Sequence, residues 1–123
     1  MPLQSSLISL TEGLITLVLP AAGVYALWAQ EELVYYGWAD ATTGLRRALE
    51  SHLGDAAPPC TGRATHFQIE FASLILTPRE RCDQLLWEYF RATGRYPPCN
   101  LPRGPVPIKP ANAGMDRPRR GPH

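Results

Sequence analysis

Between Glu12 and Glu31 the chain carries no charge, and no basic residue precedes that run. A secretory leader needs a positive stretch ahead of its apolar core, so none is expected here. The run itself, "GLITLVLPAAGVYALWAQ", is just long enough to raise a membrane span. Pro20, an Ala-Ala pair and Gly23 interrupt it. It therefore reads as a helix or strand, a turn at "LPAAG", and then a strand, with no membrane partner. Cysteine is scarce too. Cys60, Cys82 and Cys99 are an odd number, and no Cys-x-x-Cys pair occurs among them. That removes the usual zinc-site signature, and spacing gives no support to a metal held by Cys60, His66 and Cys99. Three reduced thiols in a cytoplasmic protein are the expectation.

What is plentiful is proline, and it is unevenly placed. Eight of 13 prolines lie between Pro97 and Pro122. The sequence "LPRGPVPIKPANAGMDRPRRGPH" has almost no large apolar side chains and cannot offset its ordering entropy by burial. Residues 1–100 read as one domain, and residues 101–123 as a Pro/Arg-rich tail, disordered or ordered only on a partner. Charge divides at the same place. The tail has five basic residues against Asp116, net +4; of the chain's 12 basic and 11 acidic residues the domain keeps seven and ten, net −3. A basic tail suits a loose phosphate contact, whereas an acidic domain argues against a broad nucleic-acid footprint.

Periodicity organises the domain. "SSLISLTEGLITLVL" reads as a short helix or an extra strand. "GVYALWA" and "ELVYYGWA" are strands joined by a polar tip at "AQEEL". "TTGLRRALESHLG" is a helix capped by Thr42 or Thr43, with Leu45, Leu49 and Leu53 on one face and Gly54 after it. "DAAPPCTGR" is a loop. "THFQIEFASLIL" alternates and then runs apolar, as a central strand would. "TPRERCDQLLWEYFRATG" is a second helix with Thr77 as cap, Pro78 at its first position and Gly94 as its stop. "RYPPCN" reads as an extended end. The expected class is α+β: a small three-stranded sheet, a β-hairpin plus a third strand, flanked by helices.

Two triplets in that hairpin invite a more specific reading. Gly23-Val24-Tyr25 and Tyr35-Tyr36-Gly37 lie on neighbouring strands, and a Leu-Arg-Arg helix ending near His52 follows them. Further on come a strand, a helix and "PPCN", closing at Asn100. In that order the motifs resemble the GIY-YIG nuclease superfamily, over residues 19–100. The resemblance implies a DNA endonuclease that hydrolyses a phosphodiester with one divalent metal, Mg²⁺ or Mn²⁺. It implies roles as well. Tyr25 and Tyr35 would sit side by side, one helping to deprotonate the attacking water. An arginine on the first helix would steady the phosphate, aided by His52. Asn100 would close the motif, and a glutamate on the second helix would hold the metal. Charge developing on phosphate oxygens does need a flanking cation and metal. A hard metal needs carboxylate oxygen, and a tyrosine can serve as base only if its proton affinity is lowered.

The sequence departs from the family pattern at two positions. The critical arginine stands four residues before the histidine, and here that residue is Ala48. Arg47 is adjacent, but one residue along a helix turns a side chain by about 100°. Arg46 reads as a solvated surface charge. The glutamate should precede an apolar pair by three and four positions. Leu85 and Leu86 make that pair, which places Cys82 at the metal position. Glu80 and Asp83 flank it, and Glu88 would serve only in a shifted register. A thiolate is a poor ligand for Mg²⁺, and a small buried residue is the simpler role for Cys82. Three functions follow: a degenerate nuclease fold that binds DNA or a protein partner, an active metal-dependent endonuclease using Arg47 and a Glu80 or Asp83 ligand, or an interaction protein whose tail docks in a larger assembly.

Overall fold

The two triplet-bearing runs do form a hairpin. In a computed structural model describing residues 3–54 and 57–100, strand β2 (Gly23–Ala29) pairs antiparallel with β3 (Glu32–Ala39). The polar tip turns at Gln30, which adopts a positive φ of 60°. Strand β4 (His66–Phe71) lies on the other side of β2, so it is internal as its alternation predicts. A two-residue strand β1 (Ile8–Ser9) covers its outer edge. The sheet order is β1-β4-β2-β3, four antiparallel strands where the hairpin and third strand were expected. The additional strand comes from the N-terminal segment, which supplies both elements foreseen for it. After β1 comes a one-turn helix α1 (Glu12–Ile15), whose Leu14 amide donates to the Thr11 hydroxyl at 3.3 Å. The tail expected over residues 101–123 lies outside the described residues.

Strand alternation gives the sheet two apolar faces. Tyr25 and Leu27 of β2 join one cluster with Ile15, Leu45, Leu49 and Phe67. Val24 and Ala26 join another with Cys82, Leu85 and Leu86. Helix α2 (Gly44–Glu50) therefore packs on the first face and α3 (Pro78–Thr93) on the second. Leu27, Leu45, Leu49 and Phe67 are fully buried, each worth about 1.5–3 kcal/mol relative to exposure. Gly23 permits the close approach of these layers. A Cβ there would press on the Glu70 carbonyl oxygen and lie 2.8 Å from a Leu45 methyl.

The helix ends show which local signals prevailed. α3 has the full capping box: the Thr77 hydroxyl accepts from the Glu80 amide at 3.1 Å, and Glu80 accepts from the Thr77 amide at 3.0 Å. It stops at Gly94, whose φ is +81°. Arg81 then ties α3 to the sheet, its guanidinium donating to both Glu70 carboxylate oxygens at 2.8 and 3.1 Å. α2 differs from expectation, because Thr43 makes no side-chain cap. The tertiary fold supplies the partners instead. The Leu45 amide donates to Ala21 O, and Asp40 accepts from the amides of Thr43 and Gly44. Arg46 is not simply solvated: it is half-buried, and its Nε donates to Val18 O at 2.8 Å.

Three further expectations are corrected. The apolar run after β4 does not extend the strand. The Ser73 hydroxyl accepts from the amides of Ile75 and Leu76, which bends the chain and leaves Leu74 and Ile75 exposed. "RYPPCN" is not fully extended, since Pro98–Asn100 makes a 3-10 turn. The cysteines are not all reduced: Cys60 and Cys99 form a disulfide with Cα atoms 5.7 Å apart, and Cys82 alone is free. The bond also uses the two thiols of the discounted Cys60–His66–Cys99 metal group, and His66 pairs with the Thr65 hydroxyl.

Candidate functional site

The β2–β3 register sets Tyr25 directly opposite Gly37 and Leu27 opposite Tyr35. Tyr25 and Tyr35 are therefore diagonal neighbours on one sheet face, with ring centroids 6.1 Å apart. Gly37 makes room for them. A Cβ there would collide with Cζ of Tyr25 and lie 2.7 Å from a Tyr35 ring carbon. A bulge at the Leu27–Trp28 step, with Val34 as the extra residue, lets Val34 and Tyr35 pack toward the same cluster although they are consecutive.

His52 completes the group. It lies in the turn that continues α2, four residues after Ala48, and its amide donates to Leu49 O. Its ring centroid is 5.7 Å from that of Tyr25 and 5.5 Å from that of Tyr35. Nε2 is 2.9 Å from the Tyr25 hydroxyl, and Nδ1 is 2.7 Å from the Thr61 hydroxyl. Tyr25 and His52 are only 4% and 7% exposed. Neutral His52 has one donor and one acceptor nitrogen, so the Tyr25 and Thr61 hydroxyls take complementary roles at its two ring nitrogens. No sequence signal marked Thr61, which reads as part of a loop and reaches His52 only through tertiary folding.

The electrostatics favour neutral rings. Burial, then the neighbouring Tyr35 and Cys82, push the Tyr25 phenol well above its ordinary range. Burial lowers the proton affinity of His52. A base for water would need the opposite shift at Tyr25. The adjacent Tyr36 points to the other sheet face, where burial and then Glu88 push its phenol up to about 12. Asn100 clamps its backbone, donating from Nδ2 to Tyr36 O at 2.9 Å and accepting from Tyr36 N at 3.0 Å. Asn100 is thus positioned beside the tyrosine pair by its link to β3.

The remaining expected residues do not gather around these rings. Arg47 is exposed on α2, and among the described residues no ion pair or hydrogen bond of its side chain is seen. Ala48 packs against the Tyr25 cluster. Cys82 is buried on the α3 side with Val24, Ala26 and Tyr36. Glu80 is engaged in the capping box at the start of α3. Asp83 and Glu88 are half-buried on α3, and Glu88 acts on Tyr36 rather than Tyr25. Among the described residues, no three His, Cys, Asp or Glu side chains stand close enough to share a metal. Glu80, Asp83 and Glu88, the carboxylates named for a metal, lie on α3, which packs on the sheet face opposite the Tyr25 cluster. No helix of the described residues is long and apolar enough to cross a membrane. Comparison with family models, curated proteins and solved structures finds no match for this chain.

Proposed function

We propose that this chain is a GIY-YIG-type nuclease-fold protein that works by binding, to nucleic acid or a protein partner, rather than by cutting. The observation that carries this reading is the state of the ring cluster. The Tyr25 hydroxyl is buried and bonded to a buried His52, with Ala48 in place of the phosphate-steadying arginine. Fold, hairpin register and the Asn100 clamp support the family; the packed, neutral centre argues against its chemistry. The tail's net +4 gives the chain a segment suited to phosphate, and the same segment could dock in a larger assembly.

An active endonuclease is the second reading. It is favoured by the convergence of Tyr25, Tyr35 and His52 and by the exposed Arg47 one residue from the expected place. Incubation of supercoiled plasmid with the protein and Mg²⁺ or Mn²⁺ separates the two. The expected result is no nicking above a blank, with retardation of DNA, or capture of a specific protein partner, by the same preparation. Metal-dependent nicking that disappears in Tyr35→Phe would overturn the binding reading.

A further inference from the structure

The Cys60–Cys99 disulfide joins two segments 39 residues apart, and each half stands beside a residue that holds the ring cluster. Thr61 follows Cys60 and bonds Nδ1 of His52. Asn100 follows Cys99 and bonds both backbone groups of Tyr36, the neighbour of Tyr35. One covalent link therefore ties the support of His52 to the support of the tyrosine strand. Cys60 is exposed and Cys99 half-buried. Thiol–disulfide exchange requires a thiolate to reach one sulfur, and Cys60 offers it. The remaining thiol, Cys82, is buried on the other sheet face and has no part in the exchange.

We propose that this disulfide is a redox-sensitive latch on the Tyr25–His52–Tyr35 cluster, opened by a dithiol reductant. The reductant's thiolate attacks the Cys60 sulfur, and Cys99 leaves as a thiolate that takes up a proton. The reductant's second thiol then resolves the mixed disulfide. Two electrons and two protons pass to the protein, leaving two cysteine thiols and an oxidised, disulfide-form reductant. The 3-10 turn holding Thr61 is then no longer anchored to the turn holding Asn100. His52 loses its fixed partner at Nδ1, while the sheet and α3 keep their own packing. This inference stands on the contacts alone and does not depend on the nuclease resemblance.

The test uses the full chain. Alkylation in denaturant should label one cysteine before dithiol treatment and three after it. Imidazole and tyrosine ring resonances are then compared in the oxidised, reduced and reoxidised protein. On reduction, the His52 ring signals should move toward those of a free histidine and its proton affinity should rise. The amides of β2, β3, β4 and α3 should stay in place, and reoxidation should restore the starting spectrum. Cys60→Ser should reproduce the reduced spectrum. Three labelled cysteines without reductant would overturn the proposal. So would unchanged His52 signals in the reduced protein or in Cys60→Ser. Collapse of the whole amide spectrum in either would also overturn it, by making the bond a staple for the entire fold.

Discussion

Gly37→Ala is the substitution that best tests why the second triplet ends in glycine. The added methyl would lie 2.7 Å from a Tyr35 ring carbon and closer still to the Tyr25 ring. Carbon atoms rest at about 3.5–4.0 Å, so a ring must move by about 1 Å or more. Tyr25 has little freedom to do so, being 4% exposed and bonded at its hydroxyl to His52. Overpacking of this kind costs about 1–3 kcal/mol. Alanine in a strand recovers about 0.5–1 kcal/mol over glycine, which leaves a net loss of roughly 0–2.5 kcal/mol, about 1.2 at mid-range. For a domain of this size each kcal/mol lowers Tm by about 4–8 °C, so a fall of roughly 5–10 °C is expected at mid-range. Thermal melts followed by far-UV circular dichroism measure it, and near-UV spectra report the tyrosines. Gly13→Ala is the control. It lies in α1, nothing stands within 4 Å of its added Cβ, and its Tm should hold or rise. A Gly37→Ala protein that melts at or above the wild type would refute the packing argument. The sign of the difference between the two variants decides the matter.

The depressed proton affinity of His52 sets a pH dependence. Its folded pKa lies below the unfolded 6.5, so the unfolded chain binds more protons in that window. Stability should fall as pH drops from about 6.5 toward the folded pKa and then level off. Urea titrations of wild type against His52→Gln should show that slope in the wild type only; parallel curves would sink the assignment. Asn100→Ala leaves both backbone groups of Tyr36 unpaired in a buried site. At about 1–3 kcal/mol for each of the two orphaned groups the loss should be roughly 2–6 kcal/mol, with faster hydrogen exchange at the Tyr36 amide. A change under about 0.5 kcal/mol would mean that the clamp is not holding β3.

Much of the architecture was legible because its signals are local. Thr77, Pro78 and Gly94 mark α3 from end to end and each takes the role its type suggests, while Glu80, read as a metal candidate, adds the capping box. The hairpin is legible from two Val- and Tyr-rich runs around a polar tip. What failed to show depends on distant partners. The separation of Cys60 and Cys99 along the chain carries no information about their distance in space. Thr61 is a loop residue until the fold brings it to His52. Leu74 and Ile75 continue an apolar run, yet the Ser73 turn carries them into solvent. Within the candidate site, the tyrosines and histidine could be paired from the motif order. Their burial could not, because it depends on how α2 closes over the sheet.

The proposed binding function rests in part on the packing of Ala48 and Cys82. Ala48 stands one helical turn before His52 and packs on the Tyr25 cluster, so its methyl is part of that core. Cys82 is 3% exposed among Val24, Ala26, Tyr36 and Leu85 on the other face. A glutamate in that position would bury a carboxylate, which costs several kcal/mol unless a matched partner is present. An arginine at Ala48 would need the half-buried space now filled by packing around Tyr25. Restoring both groups would therefore reopen the packing of two sheet faces at once. On the proposed reading, core packing fills both places, and the tyrosine triplets serve steric fit and hydrogen bonding between strand and helix.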